Sequence, residues 1–130
     1  MARKQTIPLP TDAEVDILSA LWRLGPATVR EVHDALGKEC GYTTTLKQMQ
    51  LMTDKGLLVR TERFKSHVYE PATPPEETQK QIAADLLERV FGGSARKLLI
   101  GALAAKPASG EEVAEIRKML AAYVKEKGRS

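Results

Sequence analysis

The segment from Gly41 to Gly56, GYTTTLKQMQLMTDKG, carries side chains suited to contacting DNA. On a helix that turns about 100° per residue, Leu46, Met49 and Met52 fall on one face with Thr45 and Thr53 beside them, and the other face carries polar side chains and one leucine. Such hydroxyl, amide and ammonium groups match base edges and phosphates. A helix face that only meets solvent would have a similar composition, so this interpretation needs independent support. The residues expected nearest the bases are Thr44, Lys47, Gln48 and Leu51.

More basic residues follow in the segment 57–71. Two short extended runs, LLVRTER and HVYE, flank the polar segment Phe64-Lys65-Ser66, which predicts a β-hairpin. Between residues 41 and 69 there are five basic residues and only two acidic ones. This local excess, more than the mild net charge of +3, favours a phosphate-binding surface. The residues expected near phosphates are Thr43, Lys55, Arg63, Lys65 and His67.

Local signals predict three helices ahead of this hairpin. TDAE at 11–14 and TVRE at 28–31 are capping boxes, in which a threonine and a glutamate satisfy each other's backbone donors. Thr43 and Thr44 are expected to cap the third helix and Gly56 to end it. Three helices followed by a hairpin with a basic tip is the order of a winged helix-turn-helix domain. In that domain the third helix enters the major groove.

The last third of the chain is predicted to form three more helices. Pro75 suits the first position of one, and Ser94 and Ser109 can cap the others. A region of roughly sixty residues cannot bury this much apolar surface on itself. We therefore expect a two-fold homodimer; the alternative is that these helices pack on the winged helix as one monomeric core. The residues expected at the dimer interface are Ile82, Leu86, Leu87, Val90, Phe91, Leu98, Leu99, Leu103, Val113, Ile116, Leu120 and Tyr123.

The predicted fold class is mainly α with a small β-hairpin. We predict an N-terminal arm at 1–10, a winged-helix domain at 11–72, a helical dimerisation region at 73–126 and a frayed tail at 127–130. No run of eighteen apolar residues predicts a membrane span, and the N-terminus has no apolar signal region. The single cysteine, Cys40, excludes an internal disulfide, and neither His33 nor His67 lies near it at a metal-ligand spacing. We expect a cytoplasmic protein without metal or cofactor.

Three other functions remain open from the residues. An enzyme is disfavoured because the sequence contains no Ser/His/Asp or Cys/His constellation, glycine-rich phosphate loop or paired metal ligands. A winged helix that binds only protein is disfavoured by the basic hairpin. A ligand-sensing regulator, whose effector lies between the winged helix and the dimer helices, is not excluded.

Several blocks of the sequence occur in the order typical of one family. They are LPTDAEVDILSALW, VREVHDAL, YTTTLKQMQLMTDKGLL, HVYEP, and DLLERVFGGSARKLL followed by EEVAEIRKML. Over about residues 8–125 the chain resembles the penicillinase-repressor family of bacterial winged-helix regulators, which includes methicillin-resistance repressors and copper-responsive proteins. The resemblance implies a homodimer that binds a palindromic operator in duplex DNA and represses resistance or stress genes.

The resemblance also implies release by an inducing signal, in such families usually cleavage of the dimerisation region by a membrane metalloprotease sensor. The family is often cut at an Asn-Phe pair, whereas the matching position here is Gly101-Ala102. Copper-responsive members carry a cysteine cluster near the C-terminus, which this chain lacks, so copper sensing is disfavoured. Where the family commonly has an arginine, this chain has Leu51, which could touch a thymine methyl group.

Overall fold

A computed structural model of the chain describes residues 9–37 and 41–128. Within these ranges the chain forms six helices and one two-stranded antiparallel sheet, which confirms the predicted fold class. The elements are α1 (Asp12–Leu24), α2 (Val29–Leu36), α3 (Tyr42–Asp54), β1 (Leu58–Arg63), β2 (Ser66–Pro71), α4 (Pro75–Arg89), α5 (Ala95–Ala105) and α6 (Gly110–Lys127). Most of the predicted arm, Cys40 and the last two residues of the predicted tail lie outside the described residues.

The chain divides into two compact units that meet between Asp85 and Leu86, within α4. This division into units reflects which residues pack against each other. The predicted boundary between residues 72 and 73 separates a DNA-binding function from a dimerisation function, and it stays a prediction. Among the helices of the described ranges, none combines the length and apolar character needed to cross a membrane.

The first two helices begin at the predicted capping boxes. The backbone N–H of Thr11 donates to Glu14 Oε1 at 2.9 Å, and the N–H of Glu14 donates to Thr11 Oγ1 at 3.3 Å. Thr28 and Glu31 make the same pair of bonds, at 2.8 and 3.2 Å. Because these bonds satisfy orphan donors of the first helical turn, short sequence motifs were sufficient to locate both helix starts.

The start of α3 differs from the prediction, whereas its end agrees. The N-cap is Gly41, which makes no side-chain hydrogen bond, so Thr43 and Thr44 lie inside the first turn and do not cap it. Instead the Gly41 carbonyl accepts from the N–H of Thr44 at 3.0 Å. At the other end Gly56 has φ +88°. There the Leu57 N–H donates to the Met52 carbonyl at 2.8 Å, which completes a Schellman motif.

The first unit has one hydrophobic core, built from α1, α2, α3 and the hairpin. The inner face of α3 contributes Thr45, Met49 and Met52, as the sequence predicted, and Trp22 packs against the core from the side. Burial of one such side chain stabilises the fold by roughly 1.5–3 kcal/mol, so the core determines which face of α3 points outward. The largest fully buried side chains are those of Tyr69, Leu18, Leu21, Met49, Met52, Glu14 and Val32.

The hairpin is tied to the helices by a third, very short strand contact. Ala27, between α1 and α2, pairs with Tyr69 of β2: the N–H of Ala27 donates to the Tyr69 carbonyl at 3.0 Å, and the reciprocal bond is 2.8 Å. The Tyr69 side chain is buried in the core. These contacts place the base of the hairpin beside the connection between α1 and α2.

The second unit contains the apolar helices of the last third. Ser94 and Ser109 cap α5 and α6 as predicted, each accepting a backbone N–H at 3.1 Å. From residue 86 to 128 no side chain is buried in a single copy of the chain. The exposed large apolar residues of this unit are Val90, Leu99, Ile100, Leu103, Val113, Met119, Leu120, Tyr123 and Val124.

Candidate nucleic-acid interface

The outward face of α3 brings together the residues predicted to lie nearest the bases. Because Thr45, Met49 and Met52 are buried, the opposite side of the helix faces solvent. Leu51 is 53% exposed there, an apolar side chain on an otherwise polar surface. Among the described residues of α3, Lys47 is the one cation on this face, and Asp54 adds a negative charge at its end. A shallow depression on this face is lined by Thr44, Lys47, Gln48, Gln50, Leu51 and Asp54.

The hairpin ends in a two-residue loop. Arg63 pairs with Ser66, leaving Phe64 and Lys65 between the strands, and both have positive φ, +51° and +66°. Two consecutive positive φ values are the signature of a type I′ turn, whose twist matches that of the flanking strands. The predicted turn segment was one residue longer, because it included Ser66. Arg63, Lys65 and His67 are all exposed, as a phosphate-binding hairpin requires.

A cleft, here called the wing cleft, lies where α2 and α3 begin and β2 starts. Its volume is about 290 Å³, and it is lined by Thr28, Val29, Arg30, Tyr42, Leu46, Ser66, His67 and Tyr69. The guanidinium carbon of Arg30 lies 4.4 Å from the centroid of the Tyr42 ring, a cation–π contact that orients this cation. An arginine and a histidine around hydroxyl groups make a site suited to a phosphate of the DNA backbone.

Sequence reasoning missed Arg30 and Tyr42. They stand on different helices, and nothing in the local pattern shows that their side chains meet. Two further contacts join the same helices: His33 Nδ1 lies 2.9 Å from Thr45 Oγ1, and its ring meets that of Tyr42 edge-on at 6.2 Å. The sequence did show an arginine and a tyrosine in the first turns of consecutive helices. Whether their side chains meet depends on how those helices pack in the folded protein.

Lys55 has a partner inside the protein. Its Nζ lies 2.6 Å from Glu14 Oε2, with the Glu14 side chain fully buried and the Lys55 side chain 34% exposed. Burial alone would raise the pKa of Glu14, but hydrogen bonds from Lys55 and from the Thr11 backbone hold this pKa below its ordinary value. The structure thus gives Lys55 a role in tying α3 to α1. Its predicted phosphate contact stays a prediction.

Two of the sequence-based assignments lie in the second unit. The predicted dimerisation residues there, from Leu86 to Tyr123, are all half-buried or exposed in a single copy. Gly101 and Ala102, at the family's usual cleavage position, lie inside α5. A Cβ atom on Gly101 would stand 3.4 Å from Cε1 of Phe91, an ordinary van der Waals distance.

Three helices, a hairpin and the bridge at Ala27 define the first unit as a winged helix-turn-helix domain, in which α3 is the third helix. The particular family follows from comparison with known proteins. The sequence model of the penicillinase repressor family matches residues 10–122, and the chain belongs to that family.

Similar proteins include two transcriptional regulators and a repressor. The transcriptional regulator BlaI of Mycobacterium tuberculosis, in two strains, is 29% identical over 89 residues, which is 66% of this chain. The match spans 64% of the mycobacterial protein's own length, a little under two-thirds. The penicillinase repressor of Bacillus licheniformis is 24% identical over 116 residues, which is 88% of this chain and 91% of the relative.

Proposed function

We propose that this protein is a homodimeric transcriptional repressor that binds a palindromic operator in duplex DNA. The observation that carries the proposal is the combination, within one winged helix, of an outward polar face on α3 and an exposed basic hairpin tip. The names of the relatives support a repressor role. A palindromic site fits because each protomer of a two-fold dimer would engage one half-site.

In this proposal α3 lies in the major groove. Gln48 makes a paired contact to adenine, Leu51 meets a thymine methyl group, and Thr44 and Lys47 contact neighbouring base edges. Phosphates are contacted by Thr43 and by the hairpin residues Arg63, Lys65 and His67. Arg30 of the wing cleft joins this set, because its contact with Tyr42 holds the guanidinium ready for a phosphate. Phosphate contacts set the register, and the α3 side chains carry the sequence information.

Dimerisation is supported by the second unit. A helical unit with no buried side chain leaves much of its leucine and valine surface in water, which costs about 25 cal/mol for each Å² of apolar surface. A second copy of the same unit would cover them through a self-complementary two-fold contact. On α6 the residues Val113, Ile116, Leu120 and Tyr123 recur at intervals of three and four, the spacing of a helix-packing stripe.

Release from DNA would follow any signal that weakens this dimer. One route is cleavage by a membrane metalloprotease sensor at or near Gly101-Ala102. Because both residues lie within α5, a protease would reach the peptide bond only after local opening of the helix. The genes whose transcription would then resume are resistance or stress genes. The repressor would act in the cytoplasm, where the chromosome lies.

The proposal is tested by selecting duplexes from a random pool with the full chain, followed by affinity and mass measurements. We expect a palindromic site, a dimer at working concentrations, and an affinity that falls steeply as the salt concentration rises. A chain that stays monomeric, or that ignores every duplex at low ionic strength, contradicts the proposal. In the second case a winged helix that binds only protein would be favoured.

A second candidate is regulation by a small effector. The indole Nε1 of Trp22 is buried without a hydrogen-bond acceptor, and Trp22 lines a cavity of about 400 Å³ with Leu21, Glu70 and residues 71–75. An effector with a hydrogen-bond acceptor and an apolar body would suit this site. Trp22 is the only tryptophan, so a change in its fluorescence together with release from the selected duplex would identify such an effector.

A further inference from the structure

The tip of the hairpin carries an aromatic ring that contacts almost nothing in the protein. Phe64 is 94% exposed and has φ +51°, a backbone conformation that favours glycine and asparagine. Both features are unfavourable in the free chain, since the ring gains no burial and the backbone is strained. A residue that is doubly unfavourable and has so little internal contact indicates a contact made in a complex.

The neighbours of Phe64 narrow the choice of partner. Arg63 precedes the ring and Lys65 follows it, and both are exposed. An apolar ring between two cations matches a surface with an apolar recess between two negative edges. The minor groove of duplex DNA has this form: it is about 6 Å wide, its walls are deoxyribose and its rims are phosphates. Phenylalanine is among the apolar residues that proteins insert there.

The position of the hairpin relative to α3 agrees with that partner. The wing cleft is lined by Tyr42 and Leu46 from the start of α3 and by Ser66 and His67 from the start of β2. The start of β2, next to the hairpin tip, therefore lies beside the start of α3. When that helix occupies the major groove, a hairpin on its flank reaches across the phosphate backbone toward the next minor groove.

We propose that Phe64 enters the minor groove beside each half-site and supplies an apolar contact there, while Arg63 and Lys65 bind the phosphates on its rims. This inference rests on the proposed DNA-binding function. The Phe64 contact would recognise the shape of the minor groove, whereas the α3 residues would recognise base edges in the major groove.

The test is Phe64→Asn in the full chain, measured on a duplex that the wild-type protein selects from a random pool. Asparagine removes the ring but tolerates positive φ. We expect the midpoint of thermal unfolding to stay the same or rise, while affinity of the dimer for the duplex falls about a hundredfold, roughly tenfold for each of the two apolar rings that lose their burial. The slope of log affinity against log salt should not change, because no phosphate contact is lost.

Two matched variants and one altered duplex complete the design. Arg63→Ala with Lys65→Ala should also weaken binding, but with a salt slope smaller by roughly one for each lost contact. Val59→Thr, at an exposed apolar position on the same hairpin, should bind like the wild type. In the duplex, 2,6-diaminopurine replaces the flanking adenines, which adds an amino group to the minor groove only. It should weaken wild-type binding and have little effect on Phe64→Asn.

Each outcome decides one question. If Phe64→Asn binds as tightly as the wild type, the minor-groove contact is wrong and the proposed repressor function stands. If the variant loses stability and affinity together, Phe64 has a structural role and the inference is overturned. If the wild-type chain binds no duplex, the proposed function and this inference fail together.

Discussion

Individual side chains on α3 have different tasks, although the sequence presents them as one polar series. Lys55 is held by the buried carboxylate of Glu14, whereas Leu51 projects into solvent. Gln48 lies between these extremes, half-buried at the edge of the outward face. Its amide can donate one hydrogen bond and accept another, which matches the N7 acceptor and the N6 donor of adenine in the major groove. Lys55 therefore has a structural role, whereas Gln48 and Leu51 remain available to contact bases.

Gln48→Ala should change which base is preferred at one position in each half-site. A paired amide–adenine contact typically contributes about 1–3 kcal/mol of discrimination, so the preference for that base should drop by one to two orders of magnitude. Selection from random duplexes with wild-type and variant chains would measure it. Gln79→Ala makes the same chemical change at an exposed site on α4, outside the reading helix, and should leave the preference unaltered. An unaltered preference for Gln48→Ala would remove Gln48 from the reading set.

Elements are held in place by contacts between residues far apart in sequence. The Lys55–Glu14 pair joins the end of α3 to the first turn of α1, and the Ala27–Tyr69 bridge joins the hairpin to the helices. Since Glu14 is fully buried, its carboxylate needs the ammonium and the Thr11 N–H as partners. The position of the recognition helix thus depends on a polar contact as well as on the core.

Lys55→Met should lower the free energy of unfolding by about 1.5 kcal/mol, the low end for a hydrogen bond to a charged group, because Lys55 is one-third exposed. Chemical denaturation at neutral pH would measure this. Lys47→Met, an exposed lysine on the same helix, should change stability little.

The pH dependence of this difference follows from the lowered pKa of Glu14. A carboxyl whose pKa is lower in the folded state adds stability that is complete above its unfolded pKa and disappears as the pH falls through the folded pKa. The gap between wild type and Lys55→Met should therefore be largest at neutral pH and shrink as the pH falls, because protonation of Glu14 removes the charge that Lys55 stabilises. A gap that is constant with pH would show that the ion pair contributes no stability.

Gly101→Ala should stabilise helix α5. Alanine is about 1 kcal/mol more favourable than glycine inside a helix, and its Cβ would make an ordinary contact with the Phe91 ring. We expect slower cleavage near residues 101 and 102 in limited proteolysis followed by mass spectrometry. Ala104→Gly, an exposed site on the same helix, should have the opposite effect. Equal cleavage rates in all three chains would show that opening of α5 does not control access.

At the scale of the whole molecule, the two units differ in how they satisfy their apolar residues. The first unit buries its leucines and methionines in one core, whereas the second leaves Leu120 and Tyr123 51% and 60% exposed. A dimer would bury the second set and would also make binding to the second half-site intramolecular. The gain in affinity from such linkage is about 10²–10⁴.

Leu120→Glu should therefore produce a monomer whose affinity for a two-half-site duplex falls by about 10²–10⁴, with unchanged affinity for a single half-site. Light scattering and binding titrations would measure the two effects. Ala114→Glu adds the same charge on the opposite side of α6 and should remain a dimer. A Leu120→Glu chain that still dimerises would show that this face of α6 is not the interface.

Local sequence was sufficient for the start of every helix except α3, for the glycine that ends α3 and for the hairpin, because capping residues and turn residues act within a few positions of each other. It was also sufficient for the buried face of α3, since a period of 3.6 residues separates Met49 and Met52 from Lys47 and Leu51. One local prediction was wrong: Thr43 and Thr44 do not cap α3, because the helix begins one residue before them and the Gly41 carbonyl takes that place.

Contacts between distant residues emerged only from the folded chain. The pairing of Lys55 with Glu14, of Arg30 with Tyr42 and of Ala27 with Tyr69 depends on how the helices pack, and no local pattern encodes it. The exposure of Phe64 is likewise set by the register of the hairpin, which pairs Arg63 with Ser66 and leaves the ring at the tip. Short-range signals thus place the elements along the chain. Which side chains stay free for DNA is decided by the long-range contacts that engage the others.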